Sequence, residues 1–476
     1  MTKSKTIENL IENMVENGII QAGEAVPSIR EMAAMYEMSV TPVIVAYHNL
    51  EERGILQARS KSKFVVLPKP EPVSPPPDPI TDKYSRFTDL HHILSERTSS
   101  FPYGSIEAFT NLSSNEIMLK KFARSMRSYM SPEELQAVDE ESIELKASLS
   151  KWMYKCNCMV TTDDIVVTNG SYSSALSLAL KCCTHAGDLV GVAEPGDIAH
   201  YLAALSRGLV PVPIHHTPGM GLDIEAFEQA IHNNPGMRVI ICNANFDVPT
   251  GTLMPPENKQ RLVELCRRHN ITIVEDDRNG ALGHKGFRPQ PLASLAPDNV
   301  IYIGCVNFTG AIGMRIHWIV NRIHSSELRY YSKMMGLIPP IFIQNAYREL
   351  VNSSLAGSRR IAVCTSYLES TTLVRKAVYR FFPSGTIAYQ PSGGYFLWVK
   401  LPESCDAVKL SHKAFASGMT VMPGILFSDK AIFRNYICLN CSVACINPDW
   451  ETGIRTLGTL TKVIMEESSS SDKQKG

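Results

Sequence analysis

The sequence predicts an α/β protein that consists of a small, mainly helical N-terminal domain and a large body built around a mostly parallel sheet. Three observations support this prediction. Short apolar runs alternate with amphipathic stretches through the body, as strands alternate with crossover helices in a parallel sheet. A proline-rich segment, Leu67–Pro79, separates the body from a head that shows short, capped helical patterns. With 476 residues, the chain is also too long for one ordinary domain.

Composition narrows the class of protein. The hydrophobic fraction of 44% and the charged fraction of 20% are typical of soluble globular proteins. Lys plus Arg and Asp plus Glu both total 47, so DNA binding would require a local arrangement of charge rather than an overall field. The N-terminus lacks the apolar core of a signal peptide, and no run approaches the ~20 apolar residues of a membrane helix. We therefore expect a cytoplasmic protein with no membrane partner.

The 12 cysteines are scattered rather than spaced as a disulfide framework, which favours reduced thiols. One cluster, Cys438-x2-Cys441-x3-Cys445, could in principle ligate a metal ion. Its spacing matches no paired-knuckle pattern, and no second Cys/His pair follows it. We expect buried structural thiols here rather than zinc, and we predict no metal site.

Composition also sets the segment boundaries. Residues 1–66 form the head, 67–85 a semi-rigid proline-rich linker, 86–467 the body and 468–476 the tail. The serine-rich tail has no apolar side chain to bury, so we expect it to be disordered.

The head begins with an amphipathic helix over residues 6–15, with one apolar stripe and three glutamates on the opposite face. Next, Ser28 and Glu31 are spaced as a capping box that starts a second helix, which should end near Tyr36. The side chain of Ser39 can cap a third helix, in whose first turn Pro42 is tolerated.

The third helix has a core stripe at Val43, Ala46, Tyr47 and Leu50. This register leaves four residues exposed: Thr41, Val45, His48 and Asn49. Two short capped helices at this spacing predict a helix-turn-helix, and residues 55–66 then predict a β-hairpin wing with several cations.

The head carries seven cations and eight acids, so charge alone favours a solvated face at least as much as DNA contact. Three motifs add to the charge pattern: G-E-x-x-P-S-I-R-E at 23–31, S-V-T at 39–41 and A-Y-x-x-L-E-x-x-G-x-x-x-A-R-x-x-S at 46–62. With them, nearly all of residues 1–66 closely resembles the winged helix-turn-helix of GntR-family regulators. The resemblance implies a DNA-binding face made of Ser28, Arg30, Ser39, Thr41, Pro42, His48, Arg59, Lys61 and Lys63. Lys63 departs from the family, which has a wing glycine at this position.

In the body, buried strands are predicted near residues 165–167, 189–192, 239–241, 271–274 and 300–303. From about Leu328, a helical portion followed by two strand-like segments predicts a smaller C-terminal α+β lobe.

Seven motifs of the body, taken in order, resemble aminotransferases of the pyridoxal-phosphate fold-type I class. They lie at 167–176, 194–196, 245–251, 275–277, 301–315, 391–398 and 423–428. Together with the GntR-type head and the linker, they resemble the MocR (GabR-like) transcription regulators of bacteria over nearly the whole chain. This resemblance implies an aminotransferase-like body and a head-to-tail homodimer whose two heads read paired half-sites in double-stranded DNA. It also implies a location on the nucleoid when DNA is bound.

Over residues 301–315, such aminotransferases read I-Y-x-G-S-F-S-K-T-L-A-P-G-L-R, and Phe308 occupies the position of the cofactor-bonding lysine. A phenyl ring has no amine, so covalent pyridoxal phosphate is excluded, while non-covalent binding stays open. By the same comparison four more contacts are changed. Asp197 replaces an aromatic ring, Val248 an asparagine, Arg278 a tyrosine and Cys438 a substrate-binding arginine.

Other parts of the pocket persist, namely Asp276, Arg315 and the helix start at Gly170 and Ser171. They have two open interpretations. In the first, Asp276 forms a buried ion pair with Arg278 or Arg315. In the second, Arg315 and the helix start hold a small anionic effector.

The preferred function is a sequence-specific DNA-binding transcription regulator whose body is catalytically inactive and serves dimerisation and effector sensing. One alternative is an aminotransferase with a fused head, which would need another lysine. A second is a regulator that still binds pyridoxal phosphate non-covalently, and a third is a scaffold that does not bind DNA. The sequence does not identify the operator, the sign of regulation or the effector.

Overall fold

The computed structural model describes residues 3–16, 19–59, 63–67, 99–109, 112–133, 140–306, 315–428 and 432–473. Two compact units divide the chain, Met1–Tyr84 and Ser85–Gly476, and the division lies inside the proline-rich segment 67–85. In the ranges given, no helix is long and apolar enough to cross a membrane.

In its described residues, 3–67 with short gaps, the N-terminal unit has three helices and a hairpin: α1 (Lys3–Glu16), α2 (Ile29–Met35), α3 (Val40–Glu52), β1 (Leu56–Arg59) and β2 (Lys63–Val66). The strands pair antiparallel, with Leu56 opposite Val66 and Arg59 opposite Lys63. The predicted core stripe of α3 is confirmed, because its four residues are fully buried against α1 and the hairpin. This arrangement is a helix-turn-helix followed by a wing. The tip of the wing, residues 60–62 with Lys61, lies outside the described residues.

The two predicted helix caps have different outcomes. The Ser28 Oγ accepts a hydrogen bond from the Glu31 amide (3.3 Å), and the Glu31 carboxylate accepts one from the Ser28 amide (2.8 Å), so the capping box is confirmed. Ser39 is the N-cap residue of α3, but its side chain makes no capping hydrogen bond, so that part of the prediction is wrong. Ser39 is exposed, so water can accept the hydrogen bonds of the first helix amides in place of its hydroxyl.

The polar face of α1 is less exposed than the sequence pattern indicates. Glu8 is only 4% exposed, and its carboxylate accepts hydrogen bonds from Lys5 (2.8 Å) and Asn49 (2.7 Å). Because the Asn49 amide is directed at Glu8, Asn49 is half-buried rather than free on the surface of α3. Arg53 binds Glu12 as well, so the acids of α1 tie this helix to the end of α3.

The body contains an eight-stranded sheet made of β4 (Ile165–Asn169), β5 (Leu189–Glu194), β6 (Val210–Thr217), β7 (Gly221–Leu222), β8 (Met237–Cys242), β9 (Thr272–Asp276), β10 (Val300–Cys305) and β11 (Ile316–Val320). Their order is β4-β11-β10-β9-β8-β5-β6-β7. The five central strands are parallel, whereas β11 runs antiparallel to both β10 and β4, and β7 runs antiparallel to β6. All five predicted strands are confirmed, and their near-continuous burial explains the apolar runs.

The helices of this part are α4 (Leu112–Ser128), α5 (Ile143–Tyr154), α6 (Tyr172–Cys183), α7 (Ile198–Ser206), α8 (Ile224–Asn233), α9 (Pro256–Arg268), α10 (Ser325–Met334) and α11 (Ile341–Asn352). One large apolar core joins α6 and α7 to the sheet.

The predicted C-terminal α+β lobe is present. Its helices are α12 (Ser354–Phe381), α13 (Ala407–Ala416) and α14 (Trp450–Lys473), and its four-stranded sheet has the order β12 (Ile387–Ala388), β13 (Phe396–Lys400), β16 (Tyr436–Asn440), β15 (Met422–Pro423). The start of the body also belongs to this lobe, because β3 (Phe101–Pro102) pairs with β14 (Met419–Thr420) and Tyr103 lies in the lobe's core.

The end of the chain differs from the prediction of a disordered tail over 468–476. Helix α14 continues to Lys473, so residues 468–473 are helical. The serine run follows an amphipathic helix with no glycine or proline to end it, and the Ser468 hydroxyl donates to the Ile464 carbonyl (2.9 Å) within the helix.

The cysteine cluster lies in the core of the lobe. Cys438 and Cys441 are fully buried free thiols, as predicted, and burial raises the pKa of both well above the ordinary value. Cys445 is only half-buried, and its sulfur lies within 3.2 Å of the Ser366 hydroxyl and 3.0 Å of the Ser370 hydroxyl.

Candidate functional site

The N-terminal unit places most of the predicted DNA-contacting residues at its surface. Arg30 is exposed in the first turn of α2, Ser39 precedes α3, and Thr41 and His48 lie on the exposed face of α3. Pro42 and Ser28 are half-buried, and the Ser28 hydroxyl already serves the helix cap.

The wing carries its cations on adjacent strands. Arg59 and Lys63 are both exposed and lie directly opposite each other. Like charges at opposed positions repel, unless an anion such as a phosphate lies between them. In the part of the chain that the structure describes, no ion pair involves Arg30, Arg59 or Lys63, whereas the charge of Arg53 is bound by α1. Besides Lys3 on α1, the described cations of the head that form no ion pair lie at the start of α2 and on the wing.

The body has a polar pocket at the carboxyl ends of its parallel strands, the usual ligand position in open α/β sheets. Asp276 ends β9 and is fully buried. Asp197 follows β5 and caps α7, accepting a hydrogen bond from the Ala199 amide (2.8 Å). Gly170 and Ser171 follow β4, with Ser171 as the N-cap of α6. The glycine has a φ of +87°, a conformation that side chains rarely adopt.

The Arg278 guanidinium lies in the middle of this pocket. Its Nε and Nη2 donate to the two oxygens of Asp276 at 2.9 and 2.6 Å, and Nη2 also donates to Asp197 at 2.6 Å. Its Cζ lies 3.3 Å from the ring centroid of Tyr172, a stacked cation–π contact. The interpretation of Asp276 as part of a buried ion pair is therefore confirmed, with Arg278 rather than Arg315 as the partner.

The Asp276 carboxylate is saturated by donors. Besides the guanidinium, the Arg278 amide donates to it at 3.1 Å, and His200 Nε2 lies 3.2 Å from its second oxygen. Burial by itself would raise the pKa of Asp276, but the charge of Arg278 and hydrogen bonds from His200 and Arg278 hold it well below its usual range. His200 Nε2 also lies 3.1 Å from the Tyr172 hydroxyl, so five side chains, including Asp197 through Arg278, form one network.

Three buried groups of this pocket offer metal-ligand atoms, namely Asp197, His200 and Asp276, whose ligand atoms lie within 4.8 Å of one another. Arg278 binds both carboxylates, so a cation placed there would meet a fixed positive charge.

Arg315 binds a different partner. Its Nη2 lies 2.6 Å from the Glu107 carboxylate, in the segment that begins the body. That segment is held by the lobe, because Asn440 Nδ2 donates to the Glu107 carbonyl (2.7 Å) and the Tyr395 hydroxyl donates to the Ile106 carbonyl (2.9 Å). The Glu107 carboxylate is 46% exposed, so this pair lies nearer to solvent than the pairs of Arg278, whose carboxylate partners Asp197 and Asp276 are buried.

The remaining predicted pocket residues have different outcomes. Val248 is 9% exposed and lies in the loop between β8 and α9. Cys438 lies on β16 in the core of the lobe, where burial first, and then the neighbouring Cys441 and Asp197, raise the pKa of its thiol. Phe308 falls in 307–314, outside the residues that the structure describes.

Sequence reasoning missed three pocket residues: Glu107, His200 and Tyr395. Glu107 and His200 belong to none of the seven motifs, and Tyr395 lies in the motif at 391–398 but was not singled out. Glu107 reaches Arg315 across 208 positions. The one available signal was a histidine in the first turn of the helix that Asp197 caps.

Fold and site together define a two-part protein, a winged helix-turn-helix joined to an α/β body whose pocket lies at the strand ends. Residues 108–444, more than half of the chain, match the family described as aminotransferase class I and II. The chain belongs to this family. Residues 3–66 match the family of bacterial regulatory proteins named gntR.

Relatives share this arrangement. An uncharacterized HTH-type transcriptional regulator of Escherichia coli strain K12, YjiR, is 25% identical, and the match covers 98% of this chain and all (100%) of the relative. A second, YdcR from the same organism, is also 25% identical over 98% of this chain and 100% of its own length. Among solved structures, the α-aminoadipate aminotransferase LysN of Thermus thermophilus superposes with a TM-score of 0.70 at 22% identity, covering 81% of this chain and 97% of that one. The structural likeness shows the fold.

Proposed function

We propose that this chain is a sequence-specific DNA-binding transcription regulator whose aminotransferase-like body does not catalyse transamination. The observation that carries this proposal is a winged helix-turn-helix attached to a body in which Arg278 occupies the polar centre of the pocket. Relatives named as HTH-type transcriptional regulators match along nearly the whole chain, which supports the regulatory part.

The pocket residues do not fit pyridoxal phosphate. In an aminotransferase an aspartate binds the protonated pyridine nitrogen, but both oxygens of Asp276 already accept donors from Arg278. Val248 has no donor for the 3-oxygen of the ring, and Phe308, by its place in the 301–315 motif, has no amine. Arg278 thus supplies internally the positive charge that a pyridinium would bring.

An aminotransferase with a fused head is the alternative function. It predicts an imine absorbance band, distinct from that of free pyridoxal phosphate, when the cofactor is added to the full chain, and a borohydride-stable bond from the cofactor to a lysine. We expect neither. A lysine-linked cofactor found by mass spectrometry would overturn the inactive assignment, whereas weak, unlinked binding would support a regulator that holds the cofactor non-covalently.

The DNA-binding part is tested by genomic footprinting of the full chain. We expect discrete protected sites that are lost with Arg30→Ala and weakened with Lys61→Ala. A charge-matched control is Arg261→Ala, because Arg261 is an exposed residue of the body paired with Glu225. If the genome shows no protected site, or if Arg30→Ala leaves the sites and the transcript profile unchanged, the chain is a scaffold and the proposal is wrong.

We also propose that the body assembles a homodimer, as the resemblance to MocR regulators implies. Two heads would then contact two half-sites, so the operator should be a repeat. Sedimentation of the full chain should give twice the mass of one chain without DNA. A monomer at micromolar concentration would contradict this part of the proposal and leave the DNA-binding part standing.

For effector sensing, the pair of Arg315 and Glu107 indicates where an anion would bind. An incoming anion must displace the Glu107 carboxylate from Arg315. In calorimetric titrations with inorganic phosphate, we expect Glu107→Gln to bind more tightly than the wild type and Arg315→Ala to bind least. Equal affinities in all three proteins would mean that this pair is structural only.

A further inference from the structure

The exposed face of α3 is mostly apolar. Its outward stripe, at i, i+3, i+4 and i+7, is Thr41, Ile44, Val45 and His48, preceded by Val40. Three of these are large apolar side chains with considerable exposure, Val40 at 44%, Ile44 at 39% and Val45 at 44%. The opposite stripe of the same helix is fully buried, so this second apolar face is not needed for the core of the unit.

The polar side chains of α3 either cannot make bidentate hydrogen bonds to base edges or already bond within the protein. Its sequence, Val40–Glu52, contains no arginine, lysine or glutamine, the side chains besides asparagine that make bidentate bonds to guanine or adenine edges. Its one asparagine, Asn49, donates to the buried Glu8 carboxylate at 2.7 Å. Thr41 and His48 are left as the polar contributors on the outward stripe.

We infer that α3 reads thymine through its C5-methyl groups in the major groove, with Ile44 and Val45 as the main contacts. This inference rests on the proposed DNA-binding function and names the bases that it recognises. The thymine methyl is the apolar feature of the major-groove edges, and valine and isoleucine meet it with side chains that are stiff at χ1. The positive charges that would hold the phosphates lie elsewhere in the same unit, at Arg30, Arg59 and Lys63.

Charge is the reason to assign this face to DNA rather than to an apolar protein surface. Three cations precede or follow α3 along the chain: Arg30 at the start of α2, and Arg59 and Lys63 on the wing. No described residue forms an ion pair with them. The acids of α1 are directed at Arg53, Lys5 and Asn49 instead. An apolar stripe with unpaired cations beside it is complementary to a groove bounded by phosphates.

The experiment compares two forms of one operator. Preferred duplexes are first selected from a random pool with the full chain, and the best duplex is then synthesised with dT or with dU at each thymine. The two differ only by the C5-methyl group. We expect each contacted methyl to contribute about fourfold in affinity, the effect of burying one such group, and we expect the selected duplex to be rich in thymine within each half-site.

Variants assign the effect to residues. Ile44→Ala and Val45→Ala should lower affinity for the dT duplex and lose most of the difference between dT and dU, since the methyl then has no partner. Ile19→Ala is the matched control, because Ile19 is an equally apolar residue of the same unit, 65% exposed and outside α3. It should keep the full dT preference.

The outcomes separate the two proposals. Selective DNA binding with equal affinity for dT and dU duplexes would overturn the thymine inference and leave the proposed function intact. A dT preference that survives in Ile44→Ala and Val45→Ala would overturn the assignment to α3. Failure to select any sequence would overturn the DNA-binding function and this inference with it, and would assign the apolar stripe to a protein partner.

Discussion

At the residue scale, Arg278 matters because it binds three partners at once: the Asp276 and Asp197 carboxylates and the Tyr172 ring. Burial disfavours a charged guanidinium, but the two carboxylates raise its pKa well above the ordinary value. It therefore stays charged at every pH at which the protein folds, and the charge of the pocket centre is fixed.

The first prediction concerns the removal of this cation. Arg278→Ala leaves two buried carboxylates without the guanidinium that balances their charge, so the free energy of unfolding should fall by about 3–5 kcal/mol in urea titrations. The control Arg261→Ala breaks an ion pair that is 49% and 67% exposed, and should change stability by no more than about 1 kcal/mol. Similar effects of the two variants would show that the buried network contributes little.

The same variant predicts a pH dependence. The pKa of Asp276 is depressed in the folded protein, so its contribution to stability is present above the unfolded pKa of about 3.9 and is lost as the pH falls. The difference between the wild type and Arg278→Ala should be largest near neutral pH and should shrink below about pH 4. Urea midpoints measured across this range check it, and a constant difference would contradict the assigned charges.

A third prediction concerns Phe308. Phe308→Lys alone should not give transamination, because Arg278 still binds Asp276 and Val248 still offers no donor. Keto-acid production from amino donors with added pyridoxal phosphate is the measurement, and Phe308→Leu is the control. Detectable turnover by the lysine variant would mean that the loss of one amine explains the inactivity.

Sequence motifs predicted which residues lie in the pocket at the carboxyl ends of the strands, but not which of these residues bind each other. Asp276, Asp197 and Arg278 were each recognised as changed or retained positions, since the motifs fix their places along the chain. Their mutual contacts depend on side-chain directions and on distant segments, which a linear pattern does not contain. Glu107 is the clearest example, because its partner Arg315 comes from another part of the body.

At the element scale, the two serine caps of the head provide a matched comparison. Ser28→Ala should destabilise α2 by about 1 kcal/mol, because the Ser28 hydroxyl accepts a hydrogen bond from the Glu31 amide. Ser39→Ala should cost less than about 0.5 kcal/mol, because the Ser39 side chain makes no capping bond. Hydrogen exchange of the α2 and α3 amides in the full chain, without DNA, measures both. Equal losses would show that the hydroxyl of Ser39 caps α3 in solution.

Most elements were predictable because their patterns are local. The core stripe of α3, the capping box and the five apolar strands each depend on neighbours within one element. Three strands of the sheet were missed: β6, the edge strand β7, and β11, which lies between β4 and β10. Glu8 was assigned to the surface because only the fold brings Asn49 and Arg53 to it. Residues 468–473 were predicted to be disordered because composition cannot tell a disordered serine run from one that continues a stable helix.

At the scale of the whole molecule, DNA affinity should depend on salt through the cations of the wing. Lys63→Ala should weaken binding almost equally across DNA sequences, and the slope of log affinity against log salt should decrease in magnitude by about 0.9 for each phosphate that the variant no longer neutralises. Fluorescence anisotropy at a series of salt concentrations measures this. Lys462→Ala on the exposed side of α14 is the control, and an unchanged slope for Lys63→Ala would exclude a phosphate contact.

Arg278 also bears on how the stability of the folded protein would depend on the cellular concentration of a small molecule. An enzyme that needs a bound small molecule for its pocket gains stability in proportion to the logarithm of ligand concentration. Here the compensating charge is covalently part of the chain, so it is present at a fixed ratio and cannot be diluted or depleted. Under the function that we propose, the body would fold independently of cofactor supply, and the level of the protein would not vary with the vitamin content of the cell.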